Sequence, residues 1–244
     1  LCIILKQNTS TLINLSEGSA MFQAVLFDMD GLFINSEPDW HAAESEMMRS
    51  HGYDWTPEDQ LKCLGGPLQR VTEYMSLCLR GIKTSEQLGD LIVSEMQKRM
   101  SGKVSLMPGA LEFSRKLNSA GVPQALVSAS PRVIVDAVLT GMSEKYFAHS
   151  VAAGDIERTK PFPDPYLHAA KLLRVDIEQC LIFEDSPTGL NAARASGAFV
   201  VGIPHFVQVA EEPRLKIVRS FEDVTEATLA SWFEINQREL GRSS

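Results

Sequence analysis

Two aspartates stand one residue apart in Asp28-Met29-Asp30-Gly31, directly behind the apolar run Ala24-Val25-Leu26-Phe27. The run reads as a buried strand and the glycine as the turn that ends it. Carboxylates at such a strand end are costly without a cation or a hydrogen-bonded task. Three more polar groups follow apolar runs in the same way. Pro123-Gln124-Ala125-Leu126-Val127 ends in Ser128-Ala129-Ser130, Thr159-Lys160-Pro161 follows the run from Phe147 to Val151, and Cys180-Leu181-Ile182-Phe183 ends in Glu184-Asp185-Ser186. In a parallel sheet all four sets meet at the C-terminal edge of the strands, where ligands bind.

Charge then dictates the chemistry. Several carboxylates within a few ångströms cannot all stay ionised unaided, and a hard divalent cation resolves the conflict. An oxygen-only donor set points to Mg²⁺ rather than zinc. Asp28 and Asp185 are the natural direct ligands, Glu184 binds directly or through water, and Asp30 is counted with them. Lys160 offers a compact positive charge to neutralise Asp28 and hold a transferring phosphoryl oxygen. Ser128 supplies a hydroxyl, and the N–H groups that open the following helix supply further donors; Ala129 and Ser130 join it as substrate candidates. One carboxylate serves as nucleophile toward phosphorus. Asp30 protonates the leaving alcohol and later deprotonates water.

The positioning elements follow from periodicity. Pro38 opens a helical stretch in which Trp40, Ala43, Glu44, Met47 and Met48 recur at three- and four-residue steps, closed by His51-Gly52. Helices are expected over Pro57–Leu64, Leu68–Leu79 and Ser85–Met100, with no strand between Pro38 and Lys103. Strands and helices then alternate to a last helix from Val224 to about Asn236. Apolar strands joined by helical crossovers predict a doubly wound parallel sheet covered on both faces, with an inserted all-helical lid. The expected division is an N-terminal extension over residues 1–20, a core over 21–35 and 104–240, and a cap over 36–103. Hinges are expected at Ile34-Asn35-Ser36 and Ser101-Gly102-Lys103.

At 244 residues the chain can hold one core and a small second domain. A formal net charge of −8 gives no basic stripe for nucleic acid, and no run approaches a membrane span. The cysteines Cys2, Cys63, Cys78 and Cys180 lack CxxC spacing, which argues for a reducing, cytoplasmic setting without zinc. The partner expected is a small phosphorylated metabolite, and the chain is expected to be a monomer, with a weak dimer left open.

Taken in order, Asp28-Met29-Asp30-Gly31, Ser128, Lys160 and Glu184-Asp185 resemble the four motifs of the haloacid dehalogenase superfamily over residues 21 to 225. The resemblance implies a Rossmann-like core with an α-helical cap of the first type, Mg²⁺ dependence and an aspartyl-phosphate on Asp28. The branch is similar to the β-phosphoglucomutase-like group, in which mutases use a cap histidine and a cap arginine. Here Trp40 stands at the histidine position, with His41 about 100° further round the helix. Leu61-Lys62-Cys63-Leu64-Gly65-Gly66 holds no arginine before Arg70. Asn35-Ser36-Glu37-Pro38-Asp39-Trp40 resembles the Asp-Ser-Glu-Pro-x-Trp stretch of hexose- and hexitol-phosphate phosphatases of the 2-deoxyglucose-6-phosphatase type, with asparagine replacing the aspartate. Hydrolysis of a sugar or polyol phosphate is therefore expected over mutase chemistry. A catalytically silent binding or regulatory protein of the same fold is the alternative from another class. Trp40, Trp55, Lys62 and Arg70 are the candidates for the cap wall, with Trp40 balanced between that wall and cap packing.

Overall fold

The computed structural model describes residues 22–63, 67–102, 104–205 and 208–243, so the extension expected over residues 1–20 lies outside the described residues. Among the described residues, six strands form one sheet: β1 (Ala24–Phe27), β2 (Gln124–Pro131), β3 (His149–Ala153), β4 (Cys180–Glu184), β5 (Phe199–Gly202) and β6 (Leu215–Ile217). Their spatial order is β3-β2-β1-β4-β5-β6, and every pairing is parallel. The switch in order falls beside β1, the place where such sheets open a crevice at their carboxyl ends.

Alternation along the strands divides the core in two. Val25, Phe27, Leu181, Phe183, Phe199 and Val201 face one side, and Ala24, Leu26, Ala125, Val127, Ile182 and Val200 the other. The first face packs on α5 (Ala110–Ser119), α6 (Arg132–Gly141) and α9 (Glu226–Ser243); the second packs on α7 (Asp164–Leu173) and α8 (Pro187–Ser196). Below the crevice, Phe27 stacks on Phe183 with centroids 5.5 Å apart, and Phe33, Phe113, Phe147 and Phe221 surround Phe27. Burying each ring contributes roughly 1.5–3 kcal/mol, which makes this cluster a rigid base for Asp28.

Among the described residues, four helices lie between β1 and α5: α1 (Glu37–Ser50), α2 (Pro57–Cys63), α3 (Leu68–Cys78) and α4 (Ser85–Met100). The start of α4 is set by a capping box between Thr84 and Gln87. Asp59 ties the block together, accepting from Thr56 N at 2.9 Å, Tyr74 Oη at 2.5 Å and Tyr53 Oη at 3.2 Å. Burial opposes ionisation of Asp59, but these donors outweigh it and hold the carboxyl down at about 2. The neck between cap and core is a short backbone pairing, with Asn35 N on Ser105 O at 2.8 Å and Met107 N on Phe33 O at 3.0 Å.

Elements depart from expectation mainly at their ends. β2 runs through Ser128-Ala129-Ser130 to Pro131, with a register irregularity against β3 between Val127 and Pro131. The residues read as a loop are therefore held by the sheet. The last helix extends to Ser243 because no glycine cap or proline follows Asn236 until Gly241. Leu64 and Lys103, read as part of a helix and of a hinge, lie outside the described residues. Among the described residues, no helix is long and apolar enough to cross a membrane.

Candidate active site

Asp28, Ser130, Lys160 and Asp185 line one cavity of about 300 Å³ at the carboxyl ends of β1, β2 and β4, roofed by the cap. The register Phe27↔Phe183 makes Asp28 and Glu184 the next residues on adjacent strands. Lys160 reaches between them, with Nζ at 2.5 Å from Asp28 Oδ1, 2.6 Å from Glu184 Oε1 and 2.9 Å from Val127 O. Its ammonium lies over the Tyr166 ring, and Tyr166 Oη donates to Glu184 Oε1 at 2.6 Å. Lys160 and Glu184 are both buried. Burial opposes a charged Lys160, but the Asp28 and Glu184 carboxylates outweigh it and keep the ammonium protonated far above neutrality.

Burial pushes the Asp28 carboxyl up to about 8, with Lys160 pulling it down and Glu184 and Asp30 pushing it further up. Asp185 is likewise raised, first by burial and then by Asp28 and Glu184. These shifts describe a carboxylate cluster short of positive charge. Asp28, Glu184 and Asp185 each present an oxygen within 4.8 Å of the others, and Asp185 Oδ1 is buried without a hydrogen-bond partner. A Cβ at Gly31, whose φ is +76°, would sit 2.6 Å from Asp185 Oδ2. Only glycine leaves that carboxylate its room. An oxygen-only cluster with an unpartnered carboxylate oxygen fits a hard divalent cation.

Glu184 is already saturated. Besides Lys160 and Tyr166 on Oε1, its Oε2 accepts from Asp185 N at 3.1 Å and from Ser186 N and Oγ at 3.3 Å. Ser186 also caps α8 through Gly189 N at 3.0 Å. A Cβ on Gly189 would overlap the Glu184 carboxylate, so the first turn of α8 can close over it only with glycine there.

The Asp30 carboxylate, counted with the metal ligands in the sequence, lies outside the Asp28–Glu184–Asp185 oxygen cluster and is held by other donors. Its Oδ1 accepts from Ser36 Oγ at 2.8 Å and Trp40 Nε1 at 3.2 Å. Its Oδ2 accepts from Ser130 Oγ at 2.7 Å and Ser128 Oγ at 3.2 Å. Donors from both core and cap therefore fix one carboxylate at the cavity wall. Ser128, expected to meet a phosphoryl oxygen, is buried with its hydroxyl on Asp30, whereas Ala129 and Ser130 line the cavity.

The cap candidates separate. Trp40 lines the cavity, and its indole N–H joins the two domains through Asp30. Trp55, Lys62 and Arg70 are not among the cavity-lining residues. Trp55 is buried and donates to Gln60 Oε1 at 2.9 Å. Lys62 donates to Tyr74 Oη at 2.8 Å and lies over that ring, and Arg70 is exposed on α3. Residue type alone suggested these three; for Trp55 and Lys62, partners within the cap draw the side chain elsewhere.

Sequence reasoning missed Ser36, Glu37, Glu44, Gln60, Tyr166 and Gly189. For Glu44 a signal existed, since a glutamate sat within the apolar stripe of α1. For Tyr166 there was none, because its partner Glu184 lies on another element.

The comparisons agree with this geometry. The model of the family described as haloacid dehalogenase-like hydrolase matches residues 25–203. Validoxylamine A 7'-phosphate phosphatase of Streptomyces hygroscopicus subsp. limoneus is 29% identical over 184 residues, 75% of this chain and 86% of that one. Hexitol phosphatase A of Escherichia coli (strain K12) is 29% identical over 212 residues, 82% of this chain and 92% of that one. Among solved structures, CbbY from Rhodobacter sphaeroides in complex with phosphate superposes with a TM-score of 0.72 at 25% identity, covering 86% of this chain and 99% of that one.

Proposed function

The chain belongs to the haloacid dehalogenase-like hydrolases, and from that premise we propose that it hydrolyses the phosphomonoester of a small sugar or polyol, with Asp28 as nucleophile and Mg²⁺ as cofactor. The observation that carries this reading is the Lys160 bridge between Asp28 and Glu184 beside the unpartnered Asp185 oxygen. Asp28 and Asp185 would hold the cation, while Glu184, with both oxygens occupied, positions Lys160 and the start of α8. The bound cation supplies charge neutralisation, letting the Asp28 carboxylate and a phosphoryl dianion approach one another.

The rest belongs to the side chains. A carboxylate oxygen of Asp28 attacks phosphorus as the bond to the leaving alcohol breaks, giving an acyl phosphate on Asp28. Lys160 stabilises the charge that develops on the phosphoryl oxygens. Asp30 hands its proton to the departing alkoxide, then takes one from the water that attacks the acyl phosphate and releases inorganic phosphate. The donors around Asp30 hold it in place for both transfers. Because Ser36 and Trp40 belong to the cap side, docking of the cap completes that constellation.

Hydrolysis is favoured over mutase chemistry by the cavity wall. Lys160 is the one cation among the described residues that line it, and it already serves Asp28 and Glu184, which leaves none to hold the distal phosphate of a bisphosphate intermediate. The relatives named for validoxylamine 7'-phosphate and hexitols support a polyhydroxylated leaving group. A phosphate-release assay with Mg²⁺ over hexose, hexitol, pentose, glycerol and nucleotide monophosphates tests the reading. Release that is lost in Asp28→Asn supports it. Interconversion of β-glucose 1-phosphate without net release would establish a mutase, and no turnover of any ester, p-nitrophenyl phosphate included, would establish a binding protein.

A further inference from the structure

The cap side of the cavity carries a buried acid with no task in the chemistry above. Glu44 follows Trp40 by one turn of α1, lines the cavity and is 4% exposed. Its Oε2 has no hydrogen-bond partner. An uncompensated buried carboxyl oxygen is costly, and such groups are retained where a ligand completes them. Gln60, which also lines the cavity, sits beside it, with its Oε1 fixed by Trp55 Nε1 at 2.9 Å and by His41 Nδ1 at 2.8 Å. That anchoring leaves the Gln60 amide nitrogen as the group available to Glu44. Leu61, Cys63, Leu68 and Val71 complete an apolar wall.

We propose that Glu44, positioned by Gln60, receives a hydroxyl of the leaving alcohol, so that the site selects monophosphates of uncharged, polyhydroxylated alcohols and turns away esters with a second phosphate. The proposal rests on the phosphohydrolase reading and adds the residue that chooses the substrate. A sugar or polyol presents both hydroxyls and a C–H face, matching one unpartnered acceptor set in an apolar wall. A second phosphate would meet Glu37 and Glu44 with no free cation among the described lining residues. Burial pushes Glu44 up to about 7, with Gln60 pulling it down and Glu37 pushing it up, so the group can accept or donate near neutrality.

The test uses the full chain with Mg²⁺ and compares wild type, Glu44→Ala and Glu44→Gln on sorbitol 6-phosphate and p-nitrophenyl phosphate. The ratio of kcat/KM for sorbitol 6-phosphate to that for p-nitrophenyl phosphate should fall about tenfold or more in Glu44→Ala, chiefly through KM, and by less in Glu44→Gln. Wild type should process fructose 6-phosphate at least about tenfold better than fructose 1,6-bisphosphate. A structural role would lower both substrates together and leave the ratio unchanged. An unchanged ratio in both variants, or preference for the bisphosphate, overturns the proposal while leaving the phosphohydrolase intact. If Glu44→Ala does not fold, the isosteric Glu44→Gln decides the matter by the same ratio. Loss of all turnover in wild type would instead sink the phosphohydrolase reading itself.

Discussion

The floor and the roof of the cavity handle buried carboxylates differently. On the floor, Asp28 and Glu184 share Lys160, Asp30 has donors on both oxygens, and Asp185 keeps a buried oxygen without a partner. On the roof, Glu44 stands in an apolar wall with one oxygen unpartnered and no cation nearby among the described lining residues. In the reading proposed above, the floor serves the phosphoryl group, which is the same in every substrate, and the roof serves the alcohol, which is not. Fixed chemistry sits on rigid strand ends and variable recognition on helices, the division expected where one fold serves many substrates.

The floor should break hardest. Lys160→Met leaves Asp28 and Glu184 as buried carboxylates without their cation, so we expect a loss of about 3–5 kcal/mol in stability by chemical denaturation, together with loss of turnover. A variant that stays stable and active would show that the bridge is incidental. The bond between floor and roof comes next. Trp40→Phe keeps an aromatic ring but removes the donor to Asp30, and kcat should fall about tenfold with a stability loss of no more than about 1–2 kcal/mol. A loss of stability with kcat unchanged would make Trp40 a packing residue only.

The roof should register in the pH dependence of stability. Burial pushes the Glu44 carboxyl up to about 7 from an ordinary 4.5, so the folded state holds its proton longer than the unfolded state. Stability from this group is therefore complete below about 4.5, is lost as pH rises toward 7, and is level above that. Glu44→Gln removes the dependence. Its unfolding free energy relative to wild type should climb by up to about 3 kcal/mol across that window, read from urea denaturation at several pH values. A flat difference would mean that Glu44 ionises freely in the folded state. Smallest of all, Lys62→Ala should change kcat/KM less than about twofold, because Lys62 meets Tyr74 rather than the cavity. A tenfold effect would return Lys62 to the cavity wall.

The two regions also differ in how far sequence alone reveals them. Strand ends are readable because an apolar run can finish at only one place, and parallel connection brings such places to one edge. Asp28, Lys160, Glu184 and Asp185 could be paired on that ground without knowing any side-chain direction. A helix has no comparable marker. Trp55 and Lys62 carry the right chemistry for a substrate wall, yet Gln60 and Tyr74 claim them. Glu44 carried the clue within its spacing, as an acid among Trp40, Ala43, Met47 and Met48. Ser128 shows a further limit: its position at the edge was legible, but its hydroxyl turns to Asp30 because β2 continues through it as strand.

Everything assigned to the floor depends on Asp28 bonding to phosphorus. Rapid quenching of the enzyme with Mg²⁺ and a turned-over ester, followed by peptide mass spectrometry, tests this directly. A phosphoryl adduct on Asp28 that forms and decays within the turnover time is the predicted result. Steady turnover with Asp28 unmodified at every quench time, and turnover that survives Asp28→Asn, would contradict the account.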